Sequence, residues 1–397
     1  MNDRNFDDNQ NGLTRRQLLG LATLTGAGLA TASMGVPKAK AAAEGQAEGA
    51  HTEQFTPLED FTYDLEGSEG WVGQGGTAKE QTVKQLPVSK SIAGVSMRLQ
   101  PGGLRELHWH AIAAEWAYVV KGNVRTTVIS PNGEAGQDDF GPGDVWFFPK
   151  GYGHALQGLG PDETHFILGF DDGHFSEFGT FSITDWLGHT PADILSKNLG
   201  LPESVFGTFP KSEVYIVQGK VPVAPHEPLR EIKPQANQFA HKYSLDAIAP
   251  IMEFPGGELR IVSQKEFPIT TMTGAIMLIN PGSVRELHWH PNADEWQFIL
   301  SGRARVTIFG AHGRTKTAEF GQGQVAFVKQ GFGHYIEQMG SEPLRLLLLF
   351  NAPVYEEINL STWLAANPAS IVEDNFGLTK AVVDKLPRKL VGFTSPA

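Results

Sequence analysis

The sequence contains no cysteine in its 397 residues. This absence excludes a disulfide framework, thiolate metal ligands and a thiol nucleophile. Positive charge is also scarce, because 32 Lys and Arg residues stand against 44 Asp and Glu residues, for a formal net charge of -12. A chain this acidic disfavours nucleic acid and anionic membranes as partners. An anionic substrate would therefore need a local positive charge inside its binding site.

A long apolar run is missing after residue 43, so no segment there is predicted to span a membrane. Residues 1–43 contain the pair Arg15 and Arg16, a mildly apolar stretch and the small-residue sequence A-K-A at 39–41. This order is typical of a twin-arginine signal peptide. We therefore expect the mature protein in the periplasm or outside the cell. Folding before export would allow metal loading in the cytoplasm, which favours a weakly bound ion such as manganese.

The clearest pattern is an internal repeat. The sequence R-E-L-H-W-H occurs at residues 105–110 and again at 285–290, and similarity without a gap connects residues 99–157 with residues 279–337. Each copy consists of short runs rich in valine, isoleucine and aromatic residues, separated by glycine and proline turns. Such runs predict an all-β fold, either a sandwich or a barrel, present twice in the chain.

The repeat also predicts the domain organisation. We expect a first domain over residues 44–220 and a second over 221–397, connected by a proline-rich segment. A short helical segment is predicted after each barrel, at residues 190–200 and 367–377. Each segment begins with threonine or asparagine followed by proline, and each ends at a glycine. The threonine or asparagine is predicted to cap each helix.

Each copy contains a candidate metal site. His108 and His110 are two residues apart on a predicted strand, so their side chains project from the same face. A turn then brings a glutamate back toward the pair, and a third histidine follows a glycine-rich turn. Isolated histidines are usually satisfied core or surface groups, but this set recurs at identical spacing. The predicted ligands are His108, His110, Glu115 and His154 in the first copy, and His288, His290, Glu295 and His334 in the second.

Three histidines and one carboxylate leave positions open on an octahedral ion, which is typical of a catalytic site. Nitrogen and oxygen donors without sulfur accept manganese, iron or zinc, so the ligands alone do not select the metal. Trp109 and Trp289, on the opposite strand face, are assigned to packing or to a subunit contact.

The pattern resembles the cupin superfamily, whose fold is a double-stranded β-helix, or jelly roll. The first copy matches both motifs of that superfamily, and the second departs only at Lys329, where proline is usual. The matching residues outside the metal ligands are Gly102, Gly122, Gly143, Pro149 and Gly151, with Gly282 and Gly302 in the second copy. The duplicated arrangement is similar to the bicupin oxalate decarboxylases.

That resemblance implies two Mn(2+) ions per chain, oxalate bound at the first copy and dioxygen as a co-catalyst. It also implies Arg105 in the substrate pocket, although Arg105 lies three residues before His108 and strict alternation would point the two side chains to opposite faces. A homo-oligomer, either a trimer or a hexamer, is implied as well.

A flexible lid is the last feature that the resemblance implies. By position the lid is S-E-F-G-T at residues 176–180, and Glu177 would be its proton-transferring acid. Phe178 and Gly179 replace a polar asparagine and serine of the usual lid. The second copy has a shorter loop at this place, in which Glu356 or Glu357 could substitute.

The expected function is therefore manganese-dependent decarboxylation of oxalate to formate and carbon dioxide, with Glu177 and Arg105 as catalytic residues. One alternative is an oxalate oxidase, which would release carbon dioxide and hydrogen peroxide from the same site. The other is a bicupin without enzymatic activity, serving as a storage protein or as a periplasmic manganese reservoir.

Overall fold

The structure, a computed structural model, describes residues 56–222 and 241–395. The predicted signal peptide and most of the predicted connecting segment lie outside these ranges. Among the described helices, none combines the length and the apolar composition needed to cross a bilayer.

The first half of the chain is built from short strands, as the alternation of apolar runs and turns predicts. The strands are β1 (Thr62–Asp64), β2 (Trp71–Gly73), β3 (Gly76–Gln81), β4 (Ala93–Leu99), β5 (Gly103–Trp109), β6 (Glu115–Lys121), β7 (Val124–Ile129), β8 (Ala135–Phe140), β9 (Asp144–Phe148), β10 (Gly153–Gly158), β11 (Thr164–Phe170), β12 (Phe181–Ser182) and β13 (Ile216–Gln218). Helices α1 (Ile183–Gly188) and α2 (Ala192–Leu199) follow the barrel, with 3₁₀ turns at Glu177–Gly179 and Glu203–Thr208.

The second half repeats this order. Its strands are β14 (Lys242–Ser244), β15 (Met252–Phe254), β16 (Gly257–Val262), β17 (Thr273–Ile279), β18 (Val284–Trp289), β19 (Glu295–Ser301), β20 (Arg303–Gly310), β21 (Arg314–Gly321), β22 (Gln324–Val328), β23 (Gly333–Met339), β24 (Leu344–Phe350), β25 (Ile358–Asn359) and β26 (Phe393–Thr394). Its helices are α3 (Leu360–Ala365), α4 (Ala369–Phe376) and α5 (Lys380–Val383), with a 3₁₀ turn at Leu245–Ala247.

Each half folds into two antiparallel sheets. In the first half the orders are β14-β9-β6-β11-β4-β3-β2 and β12-β5-β10-β7-β8, with β13 added to β5. In the second they are β1-β22-β19-β24-β17-β16-β15 and β21-β20-β23-β18-β25, with β26 added to β18. The prediction of two all-β cupin barrels, each followed by helix, is confirmed.

The two halves exchange their outermost strands. Strand β1, which precedes the first barrel, pairs with β22 of the second, and β14, which precedes the second barrel, pairs with β9 of the first. The domain boundary near residue 220 stays a prediction. The exchange places β1 in a sheet of the second half and β14 in a sheet of the first.

Two tryptophans lie where the halves contact each other. The Trp116 ring occupies the space in which a side chain at Gly274 would stand, and the Trp296 ring does the same at Gly94. Trp296 also donates its indole N–H to the side-chain oxygen of Gln81 at 2.7 Å. Both rings are fully buried and belong to an apolar cluster that contains residues of both halves, while the interior of the first barrel forms a second cluster.

The helical tails begin after proline and end at glycine, as the sequence predicts. Helix α2 ends at Gly200 with φ 68°, and α4 ends at Gly377 with φ 64°. The predicted capping is wrong, because Thr190 and Asn367 donate instead to backbone carbonyls four residues earlier, in the preceding helices. The proline itself stands at the N-cap position, and its side chain has no group that could accept from the helix.

Candidate metal centres and active site

A bulge in strand β5 determines which side chains face the interior of the first barrel. His108 of β5 lies opposite His154 of β10, whereas Arg105 lies opposite Leu156, so three steps along one strand match two along the other. The extra residue reverses the alternation between Arg105 and His108. Both side chains are therefore buried on the same side, and not on opposite faces as strict alternation along the strand would require. The same shift occurs in β18.

The structure brings the eight predicted ligands together in two clusters. In each cluster, one potential ligand atom per residue lies within 4.8 Å of the others, and all eight residues are buried. Two histidines come from the end of β5 or β18, the glutamate begins β6 or β19, and the third histidine lies on β10 or β23. Four donors from three strands thus converge on one point per barrel.

The hydrogen bonds of the histidines direct their second ring nitrogens toward each centre. His108 Nδ1 lies 2.6 Å from the Glu106 carbonyl oxygen and His154 Nδ1 lies 2.8 Å from that of Tyr152, so each Nδ1 must carry the proton. Within the described part of the chain, His110 Nε2 and His154 Nε2 are buried without a hydrogen-bond partner. Burial also lowers the pKa of His108 and His110, which keeps their imidazoles neutral. Neutral, inward-facing nitrogens with no partner fit a divalent metal ion.

Each ligating glutamate has its own supporting donor. Trp146 donates its indole N–H to Glu115 Oε1 at 2.6 Å, and Gln297 donates its amide to Glu295 Oε1 at 2.9 Å. The two donors occupy non-equivalent places, because the second copy has alanine where the first has Trp146. Sequence reasoning missed both residues. The sequence signal that could have identified them is that the two copies carry different residues at these two positions.

The predicted lid lies closed over the first cluster. Arg105 Nε donates to Glu177 Oε1 at 2.8 Å, and Arg105 Nη2 donates to Thr180 Oγ1 at 2.7 Å. On the other side, Glu80 accepts from Ser176 Oγ at 2.8 Å and from the backbone N–H of Glu177 at 3.0 Å. Sequence reasoning did not identify Glu80, which carries no motif. These four contacts bury Glu177 to 1% exposure.

One oxygen of Glu177 remains available for chemistry. Its Oε2 has no hydrogen-bond partner within the described residues and lies 3.7 Å from His110 Nε2. Burial raises the pKa of Glu177 to about 7, although the charge of Arg105 acts in the opposite direction. A carboxyl group with such a pKa can both accept and donate a proton near neutral pH.

The second cluster has a related acid, but both of its oxygens are occupied. Glu357 pairs with Arg285, accepts from the Tyr355 hydroxyl on the same oxygen, and accepts from the Asn359 amide at 2.8 Å on the other. Glu356 contributes only its backbone carbonyl, 2.8 Å from His290 Nδ1. Glu357 therefore has no free carboxylate oxygen as Glu177 does, and the side chain of Glu356 is exposed.

The two tryptophans of the repeated motif face away from the clusters. The Trp109 ring stacks on Phe181 at 5.3 Å between centroids, and the Trp289 ring meets Trp363 edge-on, also at 5.3 Å. They pack on the tails that leave each barrel. A role in a subunit contact stays a prediction.

Comparison with known proteins agrees with this geometry. The cupin family profile matches residues 71–205 and 243–384. The oxalate decarboxylase OxdC of Bacillus subtilis is 39% identical over 317 residues, which are 80% of this chain and 82% of that protein. The chain belongs to the bicupin oxalate decarboxylase family.

Other bicupin oxalate decarboxylases support the same assignment. A probable oxalate decarboxylase of Arthroderma benhamiae is 35% identical over 320 residues, covering 79% of this chain and 78% of that protein. A solved mutant of the Bacillus subtilis enzyme superposes with a TM-score of 0.82 at 36% identity, covering 86% of this chain and 90% of that one. Another solved structure of that enzyme, with the same TM-score, concerns its Mn(II) centers.

Removing one ligand should empty one cluster and leave the other filled. We expect His290→Ala to lower the metal content of the purified protein by about half and to reduce its melting temperature, because a bound metal contributes to folding stability. Elemental analysis and thermal unfolding measure both effects. His189→Ala is the matched control, since that histidine is 71% exposed and lies outside both clusters. Full metal content in His290→Ala would contradict the second site.

Proposed function

We propose that this chain is a manganese-dependent oxalate decarboxylase whose reaction takes place at the first cluster. The substrate is the oxalate monoanion, and the products are formate and carbon dioxide. The reaction is balanced as C2HO4- giving HCO2- and CO2, with no net oxidation. Two Mn(2+) ions per chain and dioxygen as a co-catalyst belong to this proposal.

The observation that carries the proposal is the free Oε2 of Glu177 beside the first metal cluster. An acid that is buried, closed over the ligands and still unpaired on one oxygen suits proton transfer to a bound substrate. Glu357 has no such free oxygen, so the second cluster is assigned to metal binding and stability.

Manganese bound by His108, His110, Glu115 and His154 would supply a Lewis acid and a redox-active ion for oxalate. The chain's own residues do the rest. Arg105, fully buried, supplies the positive charge that the acidic surface lacks, and its guanidinium would hold the carboxylate that leaves. Glu177 would take the proton of the oxalate monoanion and return it to the carbon once carbon dioxide has departed. The closed lid excludes water while that carbon is unprotonated.

An oxalate oxidase is the second candidate, and the lid sequence is the observation that favours it. Phe178 and Gly179 replace polar residues directly beside the acid. If the lid failed to hold Glu177 in place, the carbon would be oxidised instead of protonated, and C2HO4-, O2 and H+ would give two CO2 and H2O2. A manganese reservoir is disfavoured, because it would not need the buried pair of Arg105 and Glu177.

Removal of the acid should separate chemistry from metal binding. Glu177→Ala is expected to lower formate production at least about a hundredfold, the usual contribution of a general acid or base, with unchanged manganese content. Formate, hydrogen peroxide and metal are measured on the same preparation. Glu356→Ala is the control, because that exposed glutamate lies in the corresponding loop of the second half. Formate production at the parent rate by Glu177→Ala would refute the assignment of the acid.

The location of the protein is proposed from residues 1–43. Replacement of Arg15 and Arg16 by lysine is expected to leave the unprocessed chain in the cytoplasm, because the twin-arginine pair is the feature that directs export. Cell fractionation with detection of the longer, uncleaved chain measures this. Normal processing and export of the double variant would contradict the proposal.

We also propose that the chain forms a trimer or a hexamer of identical subunits. Each half carries an apolar groove beside its metal cluster, with volumes of about 370 Å³ and 440 Å³. The grooves include the exposed side chains of Leu107, Trp186, Leu287 and Trp363. Such contiguous exposed surface is typical of interfaces. Sedimentation equilibrium should give three or six times the chain mass, and a monomer at micromolar concentration would contradict it.

A further inference from the structure

Tyr215 has a backbone conformation that tyrosine rarely adopts. Its φ is 56°, in the left-handed region that favours glycine. The equivalent residue of the second half is Gly392, with φ 65°. The equivalence follows from the register, because the next residue, Ile216 or Phe393, pairs with Arg105 or Arg285.

The same contacts hold both residues in this conformation. Glu106 accepts from the Tyr215 N–H at 2.8 Å, and the Glu106 N–H donates to the Tyr215 carbonyl at 3.0 Å. In the second half, Glu286 accepts from the Gly392 N–H and its own N–H donates to the Gly392 carbonyl. The backbone arrangement is therefore shared, and the side chain is the difference. A tyrosine in a place that glycine fills without strain indicates a use for its ring.

The Tyr215 ring lies between the substrate arginine and the lid. The guanidinium carbon of Arg105 is 4.2 Å from the ring centroid, within the range of a cation–π contact. The Phe178 ring of the lid is 5.8 Å from it, centroid to centroid. Trp71 contacts the Tyr215 ring edge-on at 4.9 Å and supports it from the scaffold. The hydroxyl is buried and has no hydrogen-bond partner among the residues that the structure describes. The contacts of this side chain with Arg105 and Phe178 are therefore contacts of its ring.

We propose that Tyr215 is a positioning residue of the first site: its ring orients Arg105 and seats Phe178 when the lid is closed. The inference rests on the proposed function. Phe178 is 41% exposed, and its ring contacts that of Tyr215. An apolar contact thus replaces the polar lid residue that this chain lacks, and it keeps Glu177 over the cluster. Without it, the lid opens more often, and bound oxalate is oxidised by dioxygen to carbon dioxide and hydrogen peroxide.

The test is Tyr215→Gly, which gives the first half the residue of the second. Glycine fits the backbone, but loss of a buried ring leaves a cavity, so we expect a lower melting temperature with unchanged manganese content. Chymotrypsin cleavage after Phe178, mapped by mass spectrometry, should rise about two- to twelvefold, which is the range that loss of one aromatic pair produces. The ratio of peroxide to formate should rise by a similar factor, with a higher KM for oxalate.

Two further variants make the test specific. Tyr215→Phe keeps the ring and should restore parent cleavage and parent product ratio, because the hydroxyl has no partner. Phe178→Ala should raise the peroxide ratio in the parent but have little further effect in Tyr215→Gly, since both changes remove the same contact.

Unchanged cleavage and product ratio in Tyr215→Gly would overturn the inference, and so would additive effects of the two changes. If Tyr215→Phe behaved like Tyr215→Gly, the hydroxyl and not the ring of Tyr215 would position Arg105 and Phe178. That result would also overturn the inference. If the manganese-loaded parent produced neither formate nor peroxide, the proposed function would fail. The cleavage comparison would still decide the role of Tyr215 in lid closure.

Discussion

The first site depends on a one-residue shift of register between β5 and β10. Without the bulge, Arg105 and His108 would point to opposite faces, and the metal cluster and the Arg105 guanidinium could not share one cavity. With it, a single strand supplies both, and the arginine reaches the lid and the Tyr215 ring from a buried position. A buried guanidinium requires partners on several sides, and the lid supplies two of them, through Glu177 and Thr180. The closed lid therefore provides hydrogen-bond acceptors for Arg105 and, at the same time, places Glu177 beside the metal cluster.

The duplicated halves show how one scaffold holds two different sites. The metal ligands are identical in type and spacing, so both clusters can bind the same ion. The surrounding residues differ. Trp146 supports the ligating glutamate in one half and Gln297 in the other, while Tyr215 stands where the other half has Gly392. The acid of the first half keeps one oxygen free, but Glu357 is held by three donors. The two sites thus differ in the groups around the ligands, and contacts of this kind tune a metal site.

The two halves are also connected by strand pairing and side-chain packing. The exchanged outer strands and the reciprocal burial of Trp116 and Trp296 join the two halves through an apolar cluster that contains residues of both. If one barrel loses its metal and is destabilised, the contact surface between the two barrels is therefore affected as well. Under the proposed function, this connection would let the second cluster, which lacks a free acid, contribute through stability instead of turnover.

The sequence by itself determined the features that have a short-range or repeated signal. Alternating apolar runs, turn glycines and the repeat of His108, His110, Glu115 and His154 in the second half were sufficient for two all-β barrels and for two sets of metal ligands, because strand alternation directs neighbouring side chains locally. The resemblance to a known family added Arg105 and Glu177.

Only the tertiary structure decided what depends on contacts between distant segments. The bulge that turns Arg105 inward, the Glu80 contacts of the lid and the exchanged strands β1 and β14 arise from pairing across many residues. The left-handed Tyr215 is set by Glu106, more than a hundred positions earlier in the chain. No local pattern encodes such pairs, because their partners are adjacent only after the chain has folded.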